Sequence, residues 1–522
     1  MIEHWTEAGN ESVLPRLLQQ RANETPQRIY AEFEDGESWT YARCWSLAQE
    51  TAAMLASYGL GRGEVLLLWV PNGPDFLRLW MGANLLGAIV AAPNLAYRGN
   101  ILEHVINLTG ARIAAIDSTL MDRLEGIDSR ILENIIVTGD GRHISSDCRA
   151  VALPDSDHMR FPPVALPIVE PWDPQFIMFT SGTTGPSKGV TVPYAQMHAI
   201  ASTHYGSRFG PDDRYLLNLP LFHVGGLLPA VGAMITGGAV VVMPSFKTDR
   251  FWATVRDRNI TGCTMIGAAA SFLENLPPTA QDSDNPLRWV SMFPLVRDTP
   301  AFARRFGIGI FTGYGMSELS IPITSDDHAL PAGSCGYLRD DYEALLVDAH
   351  DMPVAEGDVG ELILRPQKPW IIFSGYWRNP EATAEAWRNG WFHTGDTFRR
   401  LADGAYIFVD RTKDALRRRG ENISSYEVEV EILAHPSVVE AAVIGVPSLH
   451  GEQDVMAVVV RGGSDDITPA SLIEFLKPRL PGFMLPRYIR FTDTLPRTPS
   501  LRVQKHVLRE DGVTPDSWDR LG

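Results

Sequence analysis

Phe179-Thr-Ser-Gly-Thr-Thr-Gly-Pro-Ser-Lys-Gly-Val190 gathers the hydroxyls of Thr180, Ser181, Thr183 and Thr184, the glycines Gly182 and Gly185, and Lys188 into one short run. Glycines carry no side chain to hold a ligand away, so bare amides and hydroxyls there can wrap phosphate oxygens closely. The run sits between two apolar, strand-like segments, Phe176–Phe179 and Val190–Val192, which predicts a strand, a loop and a second strand. It differs from the P-loop of nucleoside triphosphatases, because Gly189 rather than Ser or Thr follows the lysine and the glycine spacing is different. Only six of the 46 basic residues are lysine, so a lysine inside such a loop is unlike filler. A flexible Ser/Gly linker is the competing reading; its hydroxyl count and apolar flanks weigh against it.

At 522 residues the chain is too long for one core and predicts two or more domains. Its 45% apolar and 21% charged content is that of a soluble globular protein, and the net charge of −17 argues against nucleic acid as a partner. A small anion such as ATP needs only local cations and stays allowed. Cys44, Cys148, Cys263 and Cys335 form no CxxC pair, which reads as structural thiols in a reducing compartment rather than a zinc site. The N-terminal residues show no basic region followed by an apolar run, and a cytoplasmic protein is expected. Two uncharged stretches, Leu79–Tyr97 and Tyr215–Phe246, are broken by Pro, Gly and Asn, and read as buried helix plus strand rather than membrane spans.

Helical and strand-like patterns alternate through the first three quarters of the chain. Ser46–Tyr58, Asp75–Leu86 and Arg250–Asn259 read as helices; Val65–Val70, Ile113–Ile116, Ile135–Val137 and Ala239–Val242 read as strands. Such alternation predicts an α/β fold with largely parallel sheets. Beyond about residue 340 the short runs Glu343–Val347, Gly360–Leu364 and Tyr406–Val409 suit a small β-subdomain. After the polar segment Asp410–Asp414 a new pattern begins: helix Ser425–Ala434, strands Val438–Val446 and Val455–Val460, helix Pro469–Leu476. The expected division is therefore residues 1–410 as a large N-terminal domain of layered α/β subdomains plus the β-subdomain, 411–414 as hinge, and 415–522 as a small mobile α+β C-terminal domain. Two domains meeting at a polar hinge place the active site in the cleft between them.

Further runs carry chemistry. In Gly313-Tyr-Gly-Met-Ser-Glu318 an aromatic between Gly313 and Gly315 has room to lie against a purine. Ser317 offers a hydroxyl to phosphate, and Glu318 offers magnesium the hard oxygen it prefers. A tight turn with a buried tyrosine is the alternative. In Gly390-Trp-Phe-His-Thr-Gly-Asp396 a carboxylate on a glycine turn can accept both hydroxyls of a ribose, and Arg411 offers a forked donor to ribose or phosphate. Taken alone, Asp396 reads equally as a turn residue. In Leu219-Pro-Leu-Phe-His-Val-Gly-Gly226, His223 reads as a core histidine or a pocket group, and the small residues Gly267–Ala270 as an open pocket wall or a tightly packed helix.

Together these runs resemble, in order and spacing, the signatures of the ANL superfamily of adenylate-forming enzymes: acyl-CoA ligases, peptide-synthetase adenylation domains and luciferases. The likeness runs from residue 176 to 510 and implies a chemistry and a site. ATP or AMP would be held by Thr180, Ser181, Gly182, Thr183, Thr184, Gly185, Lys188, Gly313, Tyr314, Gly315, Met316, Ser317, Asp396, Phe408 and Arg411, with Glu318 on Mg. His223, Val224, Gly225, Ala268 and Gly313 would line the acyl pocket. Lys413 would be the hinge about which the small domain rotates, and Arg419 and Gly420 would face the pantetheine arm of CoA. The runs Phe408–Asp414 and Arg419–Ser424 look most like those of crotonobetaine/carnitine–CoA ligases and neighbouring acyl-CoA synthetases. Superfamily members usually have Thr where Ser317 stands.

One departure bears on function. Where most of the superfamily ends with Ser/Thr-Gly-Lys, this chain has Leu501 and Arg502 in Arg497-Thr-Pro-Ser-Leu-Arg-Val-Gln-Lys-His506. The superfamily's lysine bridges the substrate carboxylate and the α-phosphate during adenylation. A planar guanidinium does not replace a compact ammonium conservatively. Arg502 would serve imperfectly, or Lys505 would reach in instead, or adenylation is impaired and a partner enzyme supplies acyl-adenylate. The reading implied is an acyl-CoA ligase using ATP, CoA and Mg on a carboxylic acid. Loading of a carrier protein in trans, or a degraded acyl-adenylate binder, are the alternatives.

Overall fold

The computed structural model describes residues 12–522 apart from 141–149, 155–160, 181–185, 207, 275, 294, 297, 326–329, 332, 412–414, 419–420, 449–451, 463–466, 497–502 and 504. Two seven-stranded sheets form the bulk of the N-terminal region. One runs Ala150–Ala152, Asn134–Thr138, Ile113–Asp117, Val65–Trp69, Ile89–Ala91, Pro174–Thr180, Lys188–Pro193. It is parallel except for its last pair, an antiparallel hairpin. The other runs Gly309–Phe311, Trp289–Phe293, Gly262–Ile266, Arg214–Leu217, Ala239–Val242, Ile29–Phe33, Ser38–Thr40, parallel except for its last pair.

Parallel strands are covered on both faces, which is why Val65–Trp69 and Ala239–Val242 are continuous apolar runs, buried at every position. One large core fills the space between the sheets. It joins Leu66, Leu68 and Met178 to Tyr215, Leu217 and Val240 through the helices Leu14–Glu24, Tyr41–Ser57, Pro74–Leu85, Tyr194–Tyr205 and Val224–Thr236. Two further apolar clusters cover the outer faces. The stretches 79–97 and 215–246 form the expected helix and strand, and among the described residues no helix is long and apolar enough to cross a membrane.

Element ends follow capping chemistry. The helix Tyr41–Ser57 begins five residues earlier than its apolar periodicity suggests, because the Thr40 side chain accepts from the Arg43 amide. The helix expected over 250–259 is shorter, Phe251–Asp257, and Asn259 follows it at φ 50°.

A third, antiparallel sheet carries most of the functional candidates: Gly313–Met316, Ser320–Thr324, Ser334–Leu338, Tyr406–Arg411, Phe392–Arg400, Val359–Pro366, Tyr342–Val347. It ends at Arg411, and a separate hairpin, Ala415–Arg418 with Glu421–Ser424, starts four residues later. The helix Ser425–Leu433 and the sheet Val438–Pro447, Gln453–Arg461, Tyr488–Thr492, Trp518–Asp519 complete the C-terminal region.

Candidate functional site

The lysine-bearing run is a hairpin. Thr180 closes one strand, Lys188 opens the next, and the two are register partners across the ladder. Residues 181–185, five of the expected phosphate contacts, lie outside the described residues. Below them Ser187 is 2% exposed.

Gly313–Met316 and Ser320–Thr324 form a second hairpin, whose turn presents Ser317 and Glu318. Its glycines have a reason that the sequence did not show. A Cβ on Gly313 would lie 2.5 Å from the Ile323 carbonyl oxygen, and one on Gly315 2.4 Å from that of Ser320, so the partner strand demands them. The Tyr314 ring packs edge-on against Phe398, and its hydroxyl donates to Asp396 Oδ2 at 2.7 Å. Phe398 in turn meets Phe408, which is 43% exposed. Gln196 Nε2 donates to the Ser317 carbonyl at 2.9 Å and braces the turn.

Asp396 is buried on Phe392–Arg400, directly opposite Arg411 in register. Of Arg411 only the backbone is described. The Asp396 amide donates to Thr394 Oγ1, the Gly395 amide donates to Glu361 Oε1, and Glu361 also meets His393. The loop is thus fixed from the neighbouring strand, and the carboxylate stays aimed at Tyr314.

Glu318 is 4% exposed and accepts from the Tyr376 hydroxyl at 2.9 Å. The Lys188 ammonium lies 4.7 Å from the centre of the same tyrosine ring. Lysine and carboxylate therefore converge on Tyr376, a residue that the sequence reading missed. Among the described residues no group of three or more His, Cys, Asp or Glu side chains is placed to hold a metal ion. An ion on Glu318 would complete its shell from a ligand's oxygens, as magnesium does on nucleotide phosphates. The donor set fits that ion.

His223 caps the helix Val224–Thr236. The Asn72 amide holds the approach to it, donating to the Leu219 carbonyl and accepting from the Leu221 amide, both at 2.9 Å. Val224 and Gly225 open that helix. Ala268 lies in the helix Gly267–Glu274, but its side chain is outside the described residues.

The C-terminal region reaches this site with carboxylates. His223 Nε2 is 3.0 Å from Glu421 Oε2, which also accepts from Asn94 at 3.1 Å. Burial raises the Glu421 carboxyl, but the His223 ring, the Asn94 amide and Arg417 outweigh it and hold it below the usual value. Glu427 accepts from both the amide and the hydroxyl of Ser187, at 2.8 and 2.6 Å. Burial dominates here and lifts its carboxyl to about 7, despite the lowering pull of those donors. Glu431 accepts from Asn100 at 2.9 Å.

Lys505 does not join the nucleotide cluster. It pairs with Glu429 at 2.6 Å and donates to Ser425 at 2.8 Å, both within the C-terminal region. Arg502, Leu501, Lys413, Arg419 and Gly420 lie outside the described residues.

The family model described as "AMP-binding enzyme" matches residues 18–377, and "AMP-binding enzyme C-terminal domain" matches residues 427–502. The chain is 30% identical to sulfoacetate–CoA ligase of Cupriavidus necator, covering 96% of this chain and 98% of that one. It is 28% identical to crotonobetaine/carnitine–CoA ligase of Escherichia coli, covering 88% and 90%. Among solved structures, ATP-bound MatB from Rhodopseudomonas palustris superposes with a TM-score of 0.68 at 26% identity, covering 95% and 98%.

Proposed function

The chain belongs to the AMP-binding enzyme family, and from that premise we propose that it joins a carboxylic acid to CoA through an acyl-adenylate formed from Mg·ATP. The observation that carries this reading is the pairing of Tyr314 with Asp396, and of both Glu318 and Lys188 with Tyr376, around the one hairpin that bears Tyr314 and Glu318. It is an acid–thiol ligase of the AMP-forming type.

In the first half-reaction the substrate carboxylate attacks the α-phosphorus, and pyrophosphate leaves. Asp396 takes the ribose hydroxyls, Tyr314 lies along the purine, and the hairpin hydroxyls with Lys188 hold the phosphates. Magnesium bound on Glu318 would neutralise charge on the triphosphate. The protein's share is positioning and electrostatics more than covalent chemistry. In the second half, the CoA thiolate attacks the acyl carbon, a carbon–sulfur bond forms, and AMP departs with the anhydride oxygen. His223, a candidate for the acyl pocket, is in contact with Glu421 of the C-terminal region.

The exchange of Gly-Lys for Leu501-Arg502 points to an uneven pair of half-reactions, with thioester formation kept better than adenylation. The residue changed acts in the first half, while the second uses the face that bears Glu421. The pose described supports this reading: Glu421 touches His223, and Lys505 is held by Glu429.

A panel of carboxylic acids with ATP and CoA, read by mass spectrometry, identifies the acid. Its synthetic acyl-AMP plus CoA is then compared with free acid plus ATP and CoA. The first flux should exceed the second by roughly 100-fold or more, the penalty of one misplaced cation at a developing charge. The double variant Leu501→Gly, Arg502→Lys should close most of that gap. Equal fluxes in the parent enzyme would reject the uneven reading, and no thioester from any acid would reject the ligase.

A further inference from the structure

Tyr376 lies on a strap that ties the two nucleotide hairpins together. Along one side the strap runs beside the lysine-bearing strand. The Thr191 amide donates to the Gly375 carbonyl, the Ser374 amide to that of Thr191, and the Trp377 amide to that of Gly189, at 3.0, 2.9 and 2.7 Å. Tyr376 itself bridges Val190 in antiparallel fashion. The approach is close enough that a Cβ on Gly189 would meet Ile177 at 2.8 Å and Trp377 at 3.2 Å. Along the other side the Phe373 amide donates to the Glu318 carbonyl at 2.8 Å. The backbone of Tyr376 is pinned as well, donating to Thr383 Oγ1 at 2.9 Å.

The side chain then spans the gap between the two motifs. Its hydroxyl holds Glu318 Oε1 at 2.9 Å, and its ring lies under the Lys188 ammonium at 4.7 Å. Burial, reinforced by the Glu318 charge, pushes the phenol well above its usual range, so the hydroxyl remains a donor.

Resting on the nucleotide reading above, we propose that Tyr376 is a positioning residue for the Mg·triphosphate, fixing the metal carboxylate and the phosphate lysine at a set separation. It touches neither Asp396 nor Tyr314, so its effect is confined to the phosphates that Lys188, and an ion on Glu318, would hold.

The test uses the full chain and needs no knowledge of the acid. AMP and α,β-methylene-ATP are titrated by calorimetry at a series of free Mg²⁺ concentrations. Tyr376→Phe should bind AMP as the parent does, while the Mg²⁺ concentration that half-supports α,β-methylene-ATP binding rises about tenfold, the scale of one lost hydrogen bond to a charged group. Tyr376→Leu, which also removes the ring, should weaken α,β-methylene-ATP a further ~3-fold at saturating Mg²⁺. An unchanged Mg²⁺ requirement in Tyr376→Phe overturns the proposal. So does an equal loss for AMP and the triphosphate analogue, which would mark a purely structural tyrosine. A parent protein that binds neither nucleotide sinks the nucleotide reading itself, and this proposal with it.

Discussion

The cleft floor and the face laid over it are built on different principles. On the floor, Tyr314, Asp396 and Glu318 sit on antiparallel strands and their turns, and each is held by bonds from neighbouring ladders. The opposing face reaches the N-terminal region beside that floor with three carboxylates, Glu421, Glu427 and Glu431, which take Asn94 and His223, Ser187, and Asn100 respectively. Glu427 and Glu431 are four residues apart on one helix, and so share one side of it. A ladder-built floor is rigid before any ligand arrives. The face grips by side-chain hydrogen bonds together with one apolar cluster that joins Tyr97, Ile101 and Leu102 to Ile423, Val428 and Ile432.

The sharpest break between the two comes from Asp396→Ala. It should weaken AMP by roughly 100-fold, the loss of paired hydrogen bonds to a charge, while leaving the docking of the C-terminal region unchanged. Calorimetry reads the first and an interdomain fluorescence pair reads the second. If docking collapses with AMP affinity, floor and face are not separable.

Next in size is a pH effect confined to the face. Glu427 titrates near 7 when buried, above its ordinary value of 4.5. The docked pose therefore binds an extra proton between those values. Its stability is fully present below about 4.5 and is lost as pH rises through 7, by up to about tenfold per unit. Protection factors over 425–433, with the intrinsic pH dependence of amide exchange divided out, should fall across that window in the parent enzyme and stay flat in Glu427→Gln. A parent profile without slope would contradict the assignment.

Glu421 has the opposite sign. Its carboxyl is held low, so the bond to His223 persists at neutral pH and fails only in acid. Glu421→Gln should slow thioester formation from acyl-AMP by about 3- to 10-fold, the worth of a partly exposed charged contact, and spare nucleotide affinity. The smallest expected change is Asn100→Ala, about twofold in docking with no effect on either nucleotide.

The floor was legible in sequence because its signals are local. A hydroxyl-rich loop between two apolar runs spells a hairpin, and glycines beside Tyr314 and Asp396 single out those side chains, although both stand on strands and not on turns. What escaped was what depends on distant partners. Tyr376 gains its role from a bridge to Val190 and a bond to Glu318, residues far away in the chain that no periodicity links to it. Glu421 fell within a quoted run and Glu427 within an expected helix, yet their partners His223 and Ser187 stand some two hundred residues earlier. Gly313 and Gly315 were noticed for the ring between them, whereas it is the partner strand that needs them small. Lys505 looked available from spacing alone, and Glu429 claims it.

The pairing of Thr180 with Lys188 has a practical corollary. Both stems of the hydroxyl-rich turn are clasped side by side in the sheet, so the residues between Thr180 and Ser187, the latter held by Glu427, can be treated as an exchangeable cassette. Grafting turns of other lengths or compositions onto the same stems would retune triphosphate preference while the scaffold beneath kept its register.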